Sequence, residues 1–239
     1  MKLYQILAQY YDQLFPVRET TLDFLSGFLI PGKTVLDVGC GTGGYTCALT
    51  ERGTDCIGID PDSEMIRKAE EKNRERTVLF QQLGMEDVGS FTRKFGTIMC
   101  IGNTLVHLPD YDGVGRFFSD CRSLLVPQGK AVFQIVNYDR VYEEVNPTLP
   151  DISAENVIMK RSYTPAENPG KILFTVQIIV RSRGEEKMYE AVHPLLALHS
   201  EEIRSLSESA GFSSINFYGN FNKAPFTKKS SACIALAAQ

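Results

Sequence analysis

The sequence predicts an α/β fold: a doubly wound, mostly parallel seven-stranded sheet with an antiparallel β insertion before the last helix. Three observations carry this expectation. Short apolar runs alternate with helical patterns over about a hundred residues, the signature of βαβ units and of a parallel sheet with helices on both faces. After Val136 the pattern changes to long stretches of period two. A helical period returns at Ser200 and is followed by two further apolar runs.

Taken in order, the strands are Thr34 to Val38, Cys56 to Asp60, Val78 to Phe80, Thr97 to Ile101 and Ala131 to Val136. Each is a short apolar run bounded by turn residues, as strands buried on both faces should be. Between the second and third, Asp60-Pro61-Asp62-Ser63-Glu64 supplies a cap, a Pro at the first helical position and an acidic first turn. The clearest helix runs from Gly113 to Leu125, where Val114, Phe117, Phe118, Cys121, Leu124 and Leu125 form one apolar stripe. Residues 139–199 show no clear helix. Ile172, Phe174, Val176, Ile178 and Val180 alternate with their neighbours as an amphipathic strand, and Arg181 to Glu185 turns into another at Lys187 to His193. Val157 to Tyr163 is a third partner. The final helix starts at Ser200 and stops at Gly211, and strands Phe212 to Tyr218 and Ala232 to Leu236 close the sheet. The expected organisation is an N-terminal helical lid over 1–32, a ligand-binding core over 33–138, the insertion over 139–199 and a closing segment over 200–239.

Composition narrows the function classes. At roughly 150 residues per domain, 239 residues make one large domain or one with an insertion. Lys plus Arg is 25 against 29 Asp plus Glu, and a net charge of −4 argues against a protein that coats nucleic acid or an anionic membrane. The six Cys form no CxxC pair and lie mostly in apolar runs, so they read as small buried hydrophobes in a reducing compartment, with no metal site. The first residues lack the apolar region of a signal peptide, and the longest apolar stretch, Ala232 to Ala238, is too short to span a bilayer. The expectation is a soluble, cytoplasmic, globular protein.

The chemistry concentrates in Val35-Leu36-Asp37-Val38-Gly39-Cys40-Gly41-Thr42-Gly43-Gly44. Gly39, Gly41 and Gly44 satisfy GxGxxG between a strand and a helix, and Asp60 follows about twenty residues on, where a carboxylate grips a ribose diol. Charge then bears on the ligand. A pyrophosphate on this turn would meet Asp37 unfavourably, whereas the ammonium and sulfonium of S-adenosylmethionine would welcome it.

The run V-L-D-V-G-C-G-T-G-G, followed by I-G-I-D-P-D-S-E-M-I, resembles the class I S-adenosylmethionine-dependent methyltransferase superfamily over residues 33–138. The resemblance implies a Rossmann-like fold with S-adenosylmethionine as cofactor. It implies that Gly39 and Gly41 lie against the methionine moiety and that Asp37 acts electrostatically or holds the turn. Asp60 would bond the ribose hydroxyls, Met65 would pack on the adenine, Met85 and Glu86 would flank it, and Ile101 would face the methionine portion through its backbone. Gly84 departs from the family, which usually places an Asp there, and Gly96 replaces a frequent Asp. The shorter runs G-N-T-L-V-H-L, Y-Y-D-x-L-F-P and Y-G-N-F resemble the branch of glycine and amino-sugar N-methyltransferases, which places a β insertion over its active site.

In-line methyl transfer depends mostly on positioning and exclusion of water, so a strong base is optional. His107 is the candidate base because imidazole titrates near neutral pH. Tyr11, or its neighbour Tyr10, is a candidate contact from the N-terminal lid. Asn137, Tyr138 and Asp139 either orient the acceptor or form an Asx turn, while His193 and His199 read as structural. Three readings stand at this point: a small-molecule methyltransferase acting on nitrogen or oxygen, a non-catalytic cofactor-binding module, and a nicotinamide-dependent oxidoreductase. The insertion serves as an acceptor lid or as a contact between copies of the chain.

Overall fold

A computed structural model describes residues 3–73, 75, 77–143, 148–168, 170–182 and 185–239. The seven-stranded sheet forms from β1 (Val35–Val38), β2 (Cys56–Asp60), β3 (Leu79–Gln82), β4 (Phe95–Cys100), β5 (Leu125–Val136), β10 (Ser214–Tyr218) and β11 (Ala232–Ala238). Their spatial order is β10-β11-β5-β4-β1-β2-β3, and β11 alone runs antiparallel to its neighbours. The expected fold class is the one observed.

Period-two alternation splits the core into two layers. Leu36, Val38, Ile98, Cys100, Ala131 and Phe133 face α5 (Tyr111–Leu124) and α7 (Ser200–Ser209), joining Val114, Phe117, Phe118 and Ile203. Val35, Met99, Val132 and Ile234 face the opposite way, onto Leu22, Phe24 and Leu25 of α2 (Glu19–Ser26) and Leu49 of α3 (Gly44–Glu51). Five of the six Cys are buried and all six are free thiols.

Local signals explain the helix boundaries, with two corrections. Helix α4 spans Ser63–Lys72 and is capped by Asp62, whose Oδ1 accepts from the amides of Glu64 and Met65. Pro61 therefore lies before the cap and not at the first helical position, because Asp60 is committed to the glycine turn. The stretch after Val136 does contain a helix, α6 (Tyr138–Glu143). Asn137 starts it with an Asx turn, its Oδ1 accepting from the Asp139 amide, and six residues are too few to show a period.

The insertion is a four-stranded antiparallel sheet, β6 (Thr148–Ala154), β7 (Val157–Pro165), β8 (Lys171–Ser182) and β9 (Glu185–Leu196), in that spatial order. The expected turn between β8 and β9 includes Arg183 and Gly184, which lie outside the described residues, although Ser182 and Glu185 pair across it. One face of this sheet is apolar at Val157, Met159, Val176 and Ile178, and it packs on Ile6, Leu7, Ala8 and Leu14 of α1 (Leu3–Leu14) together with Met65 of α4. The other face exposes Met188 and Val192. Helix α1 is thus wedged between the insertion and the cofactor-side helix α4.

Candidate active site

The carboxyl ends of β1, β2, β4 and β5 define the crevice where an open α/β sheet binds its ligand. The chain leaves β1 through a tight turn in which Gly39, Gly41 and Gly43 all have positive φ. The conformational triplet is therefore 39, 41 and 43, and Gly44 simply begins α3. Two of these positions are also points of close approach. A Cβ on Gly39 would stand 2.7 Å from Thr104 Oγ1, and one on Gly41 would stand 3.2 Å from the Tyr11 ring. The missing Cβ atoms are what let Thr104 pack on one side of the turn and helix α1 on the other.

Asp60 is locked into this turn. Its Oδ2 accepts from the Gly41 amide at 2.9 Å and its Oδ1 from the Asp62 amide at 2.9 Å. Burial raises its pKa, and these two amides oppose the rise. Each carboxylate oxygen has two lone pairs, so one on each remains for a further donor. Below the turn, Asp37 is 3 % exposed and its Oδ2 accepts from the Thr46 hydroxyl at 2.6 Å. That bond ties β1 to the first turns of α3. Burial pushes the Asp37 pKa up to about 7, with a further push from Asp60 and opposition from Thr46.

Of the two candidate tyrosines, Tyr11 is the one whose ring lies over Gly41; Tyr10 packs instead in the cluster between α1 and the insertion. Burial, with the charges of Asp60 and Asp37, lifts the Tyr11 phenol well above its ordinary range. It is therefore un-ionised at pH 7. The next residue, Asp12, latches the helix to the turn by accepting from Thr42 Oγ1 at 2.6 Å and Lys72 Nζ at 2.8 Å.

The remaining residues surround this centre. Met65 is buried in the α1 cluster, and Met85, at the start of a 3-10 turn after β3, joins the main core. Glu86 is exposed, and its carboxylate stands 2.8 Å from where a Cβ on Gly84 would lie. The Ile101 carbonyl accepts from Thr104 Oγ1 at 2.9 Å, while its side chain packs toward α2. His107 ends a 3-10 turn after β4 and is exposed. Surrounding protein and the nearby His193 of β9 lower its pKa. The structure therefore brings Tyr11, Asp37, Gly39, Gly41 and Asp60 together, with Met65 alongside, and sets His107 apart near the insertion.

Asn137 forms the expected Asx turn, and both it and Asp139 are engaged in contacts within the chain. Asn137 is fully buried and its amide nitrogen donates to the carbonyls of Thr227, Lys228 and Ser230, pinning the loop before β11. Asp139 accepts from the Ser200 amide and pairs with His199 Nδ1 at 3.0 Å, joining α6 to the start of α7. Sequence reasoning missed Thr104, Asp12, Thr42 and Lys72. The first lies within the run G-N-T-L-V-H-L, the others near the turn, but their pairing is tertiary.

A family of methyltransferase domains matches residues 35–129. Over 215 residues the chain is 23 % identical to the putative methyltransferase YqeM of Bacillus subtilis, covering 88 % of this chain and 86 % of that one. Residues 35–129 are therefore a methyltransferase domain. The chain is 25 % identical over 197 residues to a glycine/sarcosine N-methyltransferase of Aphanothece halophytica, covering 80 % of this chain and 70 % of the relative. With a ubiquinone biosynthesis O-methyltransferase of Psychrobacter arcticus the identity is 33 % over 113 residues, and the chain spans only 42 % of that relative's length and 45 % of its own. The fold recurs in an S-adenosylmethionine-dependent methyltransferase from Clostridium acetobutylicum (TM-score 0.80, 20 % identity, 99 % of both chains). It recurs also in the amino pentose methyltransferase CalS10 of Micromonospora echinaspora, solved with S-adenosylmethionine bound (TM-score 0.68, 14 % identity, 99 % and 92 %).

The site suits that cofactor. Glycines at 39 and 41 keep the turn free of side chains where Thr104 and Tyr11 press on it, Asp60 keeps acceptor capacity for hydroxyls, and Asp37 and Asp60 set an acidic environment for a cation. The same acidity tells against a pyrophosphate, and so against the nicotinamide reading. No helix among the described residues is long and apolar enough to cross a membrane.

Proposed function

We propose that this methyltransferase methylates a nitrogen of a small molecule in the cytoplasm, by in-line displacement in a crevice closed by α1 and the insertion. The observation that carries the reading is α1 itself, which lays Tyr11 on the glycine turn and packs its apolar face against Val157 and Met159 of β7. Such a closed crevice excludes water and fits a small acceptor better than a duplex or a protein surface. The cofactor supplies a methyl group on a sulfonium, whose leaving group needs no further activation. In this reading Asp60 holds the ribose hydroxyls, Asp37 balances the cationic end, and Gly39, Gly41 and the Ile101 backbone bound the methionine moiety. Met65, Met85 and Glu86 line the adenine side. An amine acceptor reacts through its neutral form, and His107, its pKa lowered, is neutral at pH 7 and can take the proton that the acceptor nitrogen sheds.

Nitrogen is favoured because the similarity to the N-methyltransferase extends over the insertion, whereas that to the O-methyltransferase covers under half of either chain. A hydroxyl acceptor is the second reading, supported by the higher identity within that shorter match. Turnover is tested by screening amines and alcohols for release of S-adenosylhomocysteine; product formed only from alcohols would refute the nitrogen assignment. Cofactor placement is tested by calorimetry on Asp60→Ala, which should weaken S-adenosylhomocysteine binding by about 2–3 kcal/mol through loss of charge-assisted hydrogen bonds. Unchanged affinity would remove Asp60 from the site.

A further inference from the structure

Midway along the insertion, the inner face carries Arg161 on β7 and His193 on β9 among apolar neighbours. In β7 the residues facing inward are Val157, Met159, Arg161 and Tyr163, and the first two pack on α1. Tyr163 lies 1 % exposed, its ring 5.7 Å from that of Tyr138 at the start of α6. Arg161 therefore stands in an otherwise apolar row, between the part of the sheet that carries the lid helix and the part that covers the parallel strands. Across the register Tyr163 pairs with Phe174, and Phe174 with His193, which puts His193 on the same face, near His107. Arg161 thus lies between Met159, which packs on α1, and Tyr163, which stacks near Tyr138, whose hydroxyl accepts from Asn103 just after β4.

Arg161 is poorly satisfied there. Its Nη2 donates to the Pro150 carbonyl at 2.9 Å, while its Nε is buried without a hydrogen-bond partner. Among the described residues no carboxylate lies within ion-pairing distance of it; the charge of Asp151 acts from further off. Burial lowers its pKa accordingly. A guanidinium on an apolar face with an idle N–H is costly unless something negative meets it. Arginine is also the side chain whose planar fork suits carboxylates and phosphates.

We propose that Arg161 is an anion-binding residue of the acceptor crevice, holding a carboxylate or phosphate group carried by the methyl acceptor. This rests on the acceptor site proposed above and narrows its substrate class to amines that bear an anionic oxygen group. Tyr163 beside it offers an un-ionised hydroxyl, and the His107–His193 pair lies on the far side of Phe174 in the register.

The test uses the whole chain, with and without saturating S-adenosylhomocysteine, titrated with sodium acetate and with inorganic phosphate at constant ionic strength while the thermal midpoint is followed. One anion should raise the midpoint of the wild type; R161Q should lose that gain and R161K should keep a small part of it. A response to acetate alone identifies a carboxylate, and a response to phosphate alone a phosphate. Equal responses of wild type and R161Q, or no response to either anion, would overturn the proposal. If R161Q does not fold, R161K carries the comparison, since an ammonium lacks the fork. Once an acceptor is in hand, R161Q should raise its KM roughly tenfold to a hundredfold with kcat and S-adenosylhomocysteine affinity little changed. Neutral amines turned over as well as anionic ones would also refute it. Failure of S-adenosylhomocysteine to bind would count against the cofactor reading alone, because the anion titration of the free protein still reports on Arg161.

Discussion

Replacing Asp37 with Asn should make the protein more stable at neutral pH and worse at holding its cofactor. Asp37 is buried beneath the glycine turn, and its pKa rises from an ordinary 3.8 to about 7. Because the folded value exceeds the unfolded one, the folded state binds this proton more tightly. The associated stability is complete below pH 3.8, is lost as pH climbs to 7, and changes little above that. At 1.36 kcal/mol per pH unit the whole span is about 4 kcal/mol, and about 2–3 kcal/mol of it falls between pH 5 and pH 8. Asn keeps an oxygen for the Thr46 hydroxyl and cannot ionise, so the variant escapes this loss. Urea unfolding of both proteins at pH 5 and pH 8 measures the effect: the stability gap should widen by that amount in favour of Asn at the higher pH. S-adenosylmethionine, being cationic, should bind the wild type more tightly as pH rises through 7, whereas the variant should bind weakly at both values. A gap that does not change with pH would refute the reasoning.

Other perturbations give separable outcomes. Gly39→Ala places a methyl group against Thr104 at a positive φ, so it should cost about 1–3 kcal/mol in unfolding experiments and weaken S-adenosylhomocysteine binding; a neutral result would mean the turn has room to shift. Asn137→Ala leaves three loop carbonyls without their donor and should cost about 2 kcal/mol without altering cofactor affinity, which unfolding and calorimetry check together. His107→Ala should lower kcat most near pH 7, where the imidazole is neutral and most of the amine still carries its proton, and least in acid, where the wild-type imidazole is itself protonated; an unaltered pH profile would eliminate the base.

The parallel sheet was legible because strands buried on both faces leave unbroken apolar runs: all four residues of β1 and all six of β4 are buried. The β insertion was legible from the alternation of β8. What escaped were elements whose cause is tertiary. Strand β6 contains Pro150 and Asp151, poor strand formers, and exists because β7 pairs with it. The first residues of β5, Leu125 to Gln128, include a proline and a left-handed Gln128, so no propensity marked them. Within the site, the glycines and Asp60 follow from spacing along one βαβ unit. Asp12 and Thr42 meet from 30 positions apart, and nothing local in either foretells the bond. The acceptor side is less legible still, because Arg161 is unremarkable in sequence and becomes conspicuous only once the register of β7 assigns it to the apolar face.

Helix α1 touches both halves of the reaction. Through Tyr11 and Asp12 it rests on the glycine turn, and through Ile6 and Leu7 on the insertion, which in the function proposed above shelters the acceptor. A single rigid element with two such footings makes occupancy at one site a condition on the other. If either ligand favours the seated position of the helix, it strengthens the other's binding, and the second must return the favour by the same factor. On the function proposed above, the affinities for cofactor and acceptor would then be coupled through the twelve residues of α1, which lie outside the parallel sheet.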